Sequence, residues 1–160
     1  YLEAEIKRYL TRLSEGTLTE ELSRQEISLL YTINDLEHIG DIVSKSLLQS
    51  LGRKKVDAQA TFSGEGMREI VDLHAKVCEN LELAIAAYAT NSRELADKVL
   101  RHKVRINEIE RALRQAHIER LHRGLRDSIE TSSIHLDVLN DLKRINSHAT
   151  NIAYVVLGHL

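Results

Sequence analysis

Asn34-Asp35-Leu36-Glu37-His38-Ile39-Gly40-Asp41 is the stretch on which the reading of this chain turns. Glu37 and Asp41 are four apart, so a helix carries their carboxylates on one face. Gly40 sits beside them, at a cost of roughly 1 kcal/mol relative to alanine in a helix interior. The surrounding apolar residues supply the helix. Leu22, Leu29, Ile33, Leu36, Gly40, Val43 and Leu47 alternate at fours and threes, the spacing of a bundle seam. The frame returns 106 positions later as Asn140-Asp141-Leu142-Lys143-Arg144-Ile145-Asn146-Ser147. There Lys143 stands in the place of Glu37 and Ser147 in the place of Asp41.

On both sides the pattern stays helical. Leu2, Ile6, Tyr9, Leu10 and Leu13 form the end of an amphipathic helix that stops near Gly16. Thr19 caps the next helix, which should run to about Leu51. Gly52 to Phe62, with Arg53-Lys54-Lys55 inside it, reads as a solvated linker. Ser63 opens a third helix on Met67, Ile70, His74, Val77, Leu81, Ala84 and Tyr88. Asn91-Ser92 breaks the chain before a fourth on Leu95, Val99, His102, Ile106, Ile109, Leu113 and Ala116, closed by Gly124. A fifth runs from about Ser128 to Val156. The sequence thus predicts an all-α protein of about five antiparallel helices. Arg12-Leu13-x-x-Gly16 also has a counterpart in Arg120-Leu121-x-x-Gly124, so the chain reads as a duplicated three-helix bundle lacking its first helix. Residues 1–51 form the partial first repeat, 52–62 the linker and 63–160 the second repeat. The opening at Tyr1, without Met and inside a helical pattern, reads as part of something longer.

Composition narrows the function classes. There is no proline or tryptophan, and 42% hydrophobic with 29% charged residues suits a helical bundle. A net charge of −2 gives no basic field for nucleic acid. No run of about 20 apolar residues is present. The single cysteine, Cys78, excludes an internal disulfide and fits a reducing compartment. No glycine-rich phosphate loop or nucleophile triad appears, and nothing supports catalysis.

Clustered carboxylates repel unless a cation joins them, and their oxygens are hard ligands for Mg, Mn, Ca or Fe. Glu37 and Asp41, with Asp35 nearby, are therefore the candidate site for a divalent or ferric ion. A neighbouring helix drawn close at Gly40 would press the acids toward its partners. The helix that should face Asp41 falls largely before Tyr1, however, so the site reads as incomplete. The same spacing also occurs on plain solvated acidic faces. His74 and His102 fall on apolar seams, where a histidine is usually a core residue. His102 and His148 should lie level on antiparallel neighbours, as a polar core pair. His74 with Cys78, and Glu119 with His122, have ligand spacing but no second pair to complete a site.

Asp35-Leu36-Glu37-x-Ile39-Gly40-Asp41 resembles the E/D-x-x-x-D signature of PhoU-like domains, which are tandem three-helix bundles. The closer resemblance is to the PhoU-like C-terminal domain of bacterial type II sodium/phosphate cotransporters. It is carried by residues 5–13, 34–41 and 117–121, and by Arg144-Ile-Asn-Ser-His-Ala-Thr-Asn-Ile-Ala-Tyr154. The resemblance implies surface metal clusters, one per repeat. Lys143 and Ser147 depart from that pattern, as does Asn107 where an acid often stands, so the second copy should hold no metal. It further implies a regulatory or accessory domain, acting through helix–helix contacts at the cytoplasmic face of the bacterial inner membrane. The expected partners are a membrane transport domain of the same polypeptide and a second copy of the chain, with no nucleic acid. A stand-alone PhoU-type metal-binding regulator of phosphate uptake is the alternative, and a carboxylate-bridged metalloenzyme the second.

Overall fold

The helix starts follow from side chains able to take up a free amide. In the computed structural model, which describes residues 2–14, 19–58 and 61–159, α1 (Leu2–Ser14) is followed by Thr19. The Thr19 hydroxyl accepts from the Leu22 amide at 3.3 Å and opens α2 (Glu20–Asp41). Ser63 accepts from the Gly66 amide at 3.1 Å ahead of α4 (Gly64–Thr90). Ser92 accepts from the Leu95 amide at 3.3 Å ahead of α5 (Arg93–His122). Asn91 closes α4 in the left-handed region at φ 48°, and Gly124 follows α5 at φ 70°. No strand occurs among the described residues. The stop expected near Gly16 lies outside the described residues, as does Tyr1.

Two expectations about boundaries are corrected. α2 does not end at a loop after Leu51. It passes into a π-helical segment (Ile42–Leu51) and then into α3 (Gly52–Ala58), so most of the expected linker is helix. Lys54, read as a solvated linker residue, pairs with Asp137 at 3.0 Å. The expected fifth helix is two: α6 (Arg126–Glu130) and α7 (Ser132–Leu157), parted at Thr131, whose backbone leaves the helical region at φ −101°, ψ 4°.

α4, α5 and α7 pack against one another as a three-helix bundle. α2 and the π segment lie on α7, and α1 rests on α2. One core cluster joins Ile39 and Ile42 to Leu73, Val77, Ile106, Leu139, Leu142 and Ile145. A second is built from Ala84, Ala87, Ala96, Val99, Ala149, Ile152, Ala153 and Leu157. Its alanines keep the side-chain layer thin, so α4, α5 and α7 can approach closely. Each fully buried leucine or isoleucine contributes about 1.5–3 kcal/mol, which is what holds helices of such mixed composition in place.

The seam of α2 is displaced by one residue from the expected one. Thr32, Asp35 and Ile39 are buried, continued by Ile42, whereas Leu36 and Val43 are 41% and 39% exposed. Gly40 is exposed, and a Cβ built there would meet nothing within 4 Å, so no helix approaches it closely. On α4 the expected Val77 and Ala84 are buried, joined by Leu73, Asn80 and Ala87, while the expected Met67 and His74 are exposed. The displacement puts a carboxylate, Asp35, on the buried line.

Candidate functional site

Asp35 sits where α2 crosses α7. Its Oδ1 accepts from His148 Nδ1 at 2.8 Å and from Asn151 Nδ2 at 3.0 Å. The two donors are three apart on α7, so one helical face delivers both. The His38 ring, one turn along α2 from Asn34, stacks on the His148 ring with centroids 5.0 Å apart and planes at 29°. Asn34 Nδ2 meets His38 Nδ1 at 3.3 Å and its Oδ1 accepts from Lys7 of α1 at 3.2 Å, so α1 also braces the site. Asp35, His38 and His148 each offer a ligand atom within 4.8 Å of the others. Asp35 is buried, His148 half-buried and His38 exposed, so the cluster opens to solvent on one side.

The expected acids arrange themselves differently. Glu37 and Asp41 lie on the half-exposed flank of α2, and no third ligand joins them among the described residues. Asp41 is instead tied to Lys45, one turn on, and that hydrogen bond, with the charges of Asp41 and Glu37, raises the lysine pKa. His102 shares no hydrogen bond or ring contact with His148. It lies on a cleft between α4 and α5 with Lys76, Glu79 and Arg105. His148 is engaged by α2 because α2, not α5, covers that face of α7.

The second copy shows what has replaced the acids. Lys143 Nζ is 3.2 Å from Oε2 of Glu110, a residue of α5 only 1% exposed. Arg114 donates to the other oxygen through Nε at 2.9 Å and Nη2 at 2.6 Å. Burial pushes the Glu110 pKa up, but hydrogen bonds and charge from Arg114 and Lys143 outweigh it and hold the pKa below the ordinary value. Two cations therefore occupy the surroundings of this carboxylate. Ser147 turns its hydroxyl back to the Lys143 carbonyl at 3.0 Å, and the Asn107 carbonyl accepts from Arg111 Nε at 3.3 Å. Asp141, the counterpart of Asp35, accepts from Arg144 at 2.9 Å and from the Ser46 hydroxyl across the α2–α7 seam. The repeat alone would set Lys45 nearer that place. The π segment turns less per residue, so Ser46 comes round to face Asp141.

A second buried polar group lies at the far end of the α4–α5–α7 bundle. Arg120, 2% exposed, donates to both oxygens of Glu69 at 2.7 and 2.6 Å. The His117 and His135 rings stack 4.5 Å apart and 10° from parallel, each 1% exposed. Burial, then the neighbouring His117 and Arg120, lower the His135 pKa to about 4 against the opposing pull of Glu69. His117 is lowered by burial and by Arg120. Gly66 permits the arrangement, since a Cβ there would lie 3.1 Å from Ser63 Oγ and 3.3 Å from the His135 ring.

His38, Asn151, Glu110 and the His117–His135 group were not singled out from the sequence. His38 was findable, because it stands inside the decisive stretch. The others look like surface residues until their partners on other helices are known.

With the geometry in hand, the chain can be set beside known proteins. The PhoU domain family model matches residues 70–156. The protein named "Putative inorganic phosphate export protein YjbB" of Escherichia coli (strain K12) is 35% identical over 95% of this chain, which spans 28% of that protein. Its namesake in Salmonella typhimurium matches to the same extent. "Phosphate-specific transport system accessory protein PhoU homolog 1" of Thermotoga maritima is 27% identical over 97% of this chain and 64% of its own length. The chain therefore covers less than two thirds of each of these relatives. No solved structure matches. A family match over more than half the chain, on an all-helical bundle whose α2 and α7 carry two copies of one frame, places this protein in the PhoU domain family.

Proposed function

We propose that the chain is a PhoU-type accessory unit that regulates the movement of inorganic phosphate, without catalytic activity of its own. The observation that carries this reading is the family match over α4, α5 and α7, supported by two kinds of relative whose names concern phosphate export and phosphate transport. The working surface fits a binding role. α2 exposes Leu22, Ile27, Tyr31 and Leu36, apolar side chains suited to a partner helix. No described helix is long and apolar enough to cross a membrane.

A second reading makes the same bundle the regulatory part of a longer phosphate-transport polypeptide, related to the type II sodium/phosphate cotransporters and held at the inner membrane. What favours it is the 28% cover of the export proteins, which leaves most of their length for other work. Both readings meet one test. In the native host, Leu22→Glu with Tyr31→Glu is introduced and radiolabelled phosphate uptake and efflux are followed. Altered net phosphate flux at unchanged protein level is the expected result. Uptake and efflux both matching the unaltered strain would refute the proposal.

A further inference from the structure

Cations on the surface of this chain commonly stand beside a carboxylate. Lys7, Arg24, Lys45, Lys54 and Arg126 are each ion-paired, on four helices and the π segment. One stretch of α5 departs from this. Residues 98–107 hold four cations, Lys98, Arg101, Lys103 and Arg105, together with His102 and no acid, in a chain of net charge −2. Lys103 is engaged by α7, its ammonium 5.3 Å from the centroid of the Tyr154 ring. Lys98, Arg101 and Arg105 form no ion pair among the described residues. The three-residue step from His102 to Arg105 puts both on one face of α5. There they line the cleft against α4 with Lys76, Glu79, Ile106 and Ile109. Lys76 and Glu79 are likewise three apart on α4, and neither is ion-paired among the described residues. His102 is half-buried and forms no hydrogen bond among the described residues, while Lys76, Glu79 and Arg105 are exposed.

We propose that this cleft binds a single hydrogen phosphate ion. Its volume of about 210 Å³ lies below the roughly 300–1,000 Å³ of sites that enclose drug-sized molecules, so it suits a small ion and not a nucleotide. The Arg105 fork and the Lys76 ammonium supply charge-assisted donors for phosphate oxygens, and their two charges match those of the dianion. His102 adds an N–H in either protonation state. Glu79 decides which anion is taken. Hydrogen phosphate keeps one O–H, which a carboxylate accepts, whereas sulfate offers only acceptors and sets its charge against that of Glu79. A phosphorylated side chain is mostly a dianion at pH 7.5 and lacks that proton as well. Two cations, an imidazole N–H and one carboxylate thus fit free phosphate better than either. Because Lys76 belongs to α4, and His102 and Arg105 to α5, bound phosphate ties the two helices together and stabilises the fold. The site stands on the chemistry of the cleft; its use as a sensor rests on the regulatory reading above.

The test is calorimetric titration with sodium phosphate at pH 7.5, at an ionic strength fixed with NaCl, with sodium sulfate and free phosphoserine in parallel arms. One phosphate per chain is expected, bound at least about tenfold more tightly than either comparison anion. Arg105→Gln and Lys76→Gln should each weaken phosphate binding about tenfold or more, the loss of one charge-assisted hydrogen bond. Glu79→Gln should erase the preference for phosphate over sulfate. Arg24→Gln, which removes a cation of α2, should change nothing. All four positions are exposed, and far-UV circular dichroism establishes that the variants fold. No phosphate binding at millimolar concentration would overturn the proposal. So would binding that survives both Arg105→Gln and Lys76→Gln, or that weakens equally with Arg24→Gln. Sulfate or phosphoserine bound as tightly as phosphate would overturn the assignment to free phosphate. No flux is measured in these titrations, so their failure leaves the regulatory reading standing, and the reverse also holds.

Discussion

Acid should unfasten the end of the bundle where His117 and His135 stack. In the folded chain the His135 pKa is about 4, while in the unfolded chain it returns to the ordinary 6.5. The unfolded state therefore takes up a proton first as pH falls. The contribution of His135 is fully present above about pH 6.5 and is lost progressively toward pH 4. Between pH 7.5 and 5 that difference amounts to about 2 kcal/mol from His135 alone, and His117, lowered in the same direction, adds to it. Glu110, whose pKa is held below 4.5, weakens the fold only at lower pH, so the histidines should dominate this window. Urea unfolding followed by circular dichroism at pH 7.5, 6.0 and 5.0 measures the effect. His135→Phe keeps a buried aromatic ring against His117 but cannot take a proton, so its stability should fall less by about 2 kcal/mol over the same range. Equal slopes for the two proteins, or a flat profile for the unaltered chain, would refute the reasoning.

Other perturbations test the packing. Glu69→Gln leaves the Arg120 guanidinium, 2% exposed, without its main counter-charge and should cost about 3–5 kcal/mol, read as a lower melting temperature and urea midpoint. Gly66→Ala should destabilise by about 1–3 kcal/mol through the His135 ring and Ser63 hydroxyl, whereas Gly40→Ala, facing open space on the same type of helix, should stabilise by roughly 1 kcal/mol. Asn80 Nδ2 donates to Asn146 Oδ1 at 2.8 Å in a fully buried pair whose remaining oxygen and nitrogen have no partner. Replacing both by leucine should therefore cost less than replacing either alone, and a double-mutant cycle that shows additivity would contradict this.

The helices and their caps were legible in the sequence because they depend on neighbours in the chain. Thr19, Ser63, Asn91-Ser92 and Gly124 each act within a few residues of their own position, and each does what its residue type suggests. The phase of the seams was legible only in part: Val99 and Ile106 of α5 are buried as the spacing predicts, whereas α2 is displaced. Leu36 and Val43 look like core residues but face outward, and Asp35 and Asn80 look like surface residues but face inward. A pattern of apolar residues assigns a face by majority, and here the buried polar groups change the majority by about one position. Glu110, Arg120 and His135 are buried because each meets a group from another helix, and such partners are visible only after the fold is known. For the same reason the partners of the decisive stretch could not be read from it. Glu37 and Asp41 share a face, as helical spacing requires, but what faces Asp35 comes from residues more than a hundred positions away.

The π segment between α2 and α3 gives the molecule the character of a screw held at one setting. From Glu20 to Ala58 the backbone winds without a loop, so rotation at one end is carried to the other. Rewinding Ile42–Leu51 as α-helix would pack more rotation into the same ten residues and turn α3 about its own axis. Lys54 would swing away from Asp137, and Ser46 away from Asp141. Those two contacts, one midway along the wide winding and one just beyond it, act as its pawls and hold α3 at its present rotation.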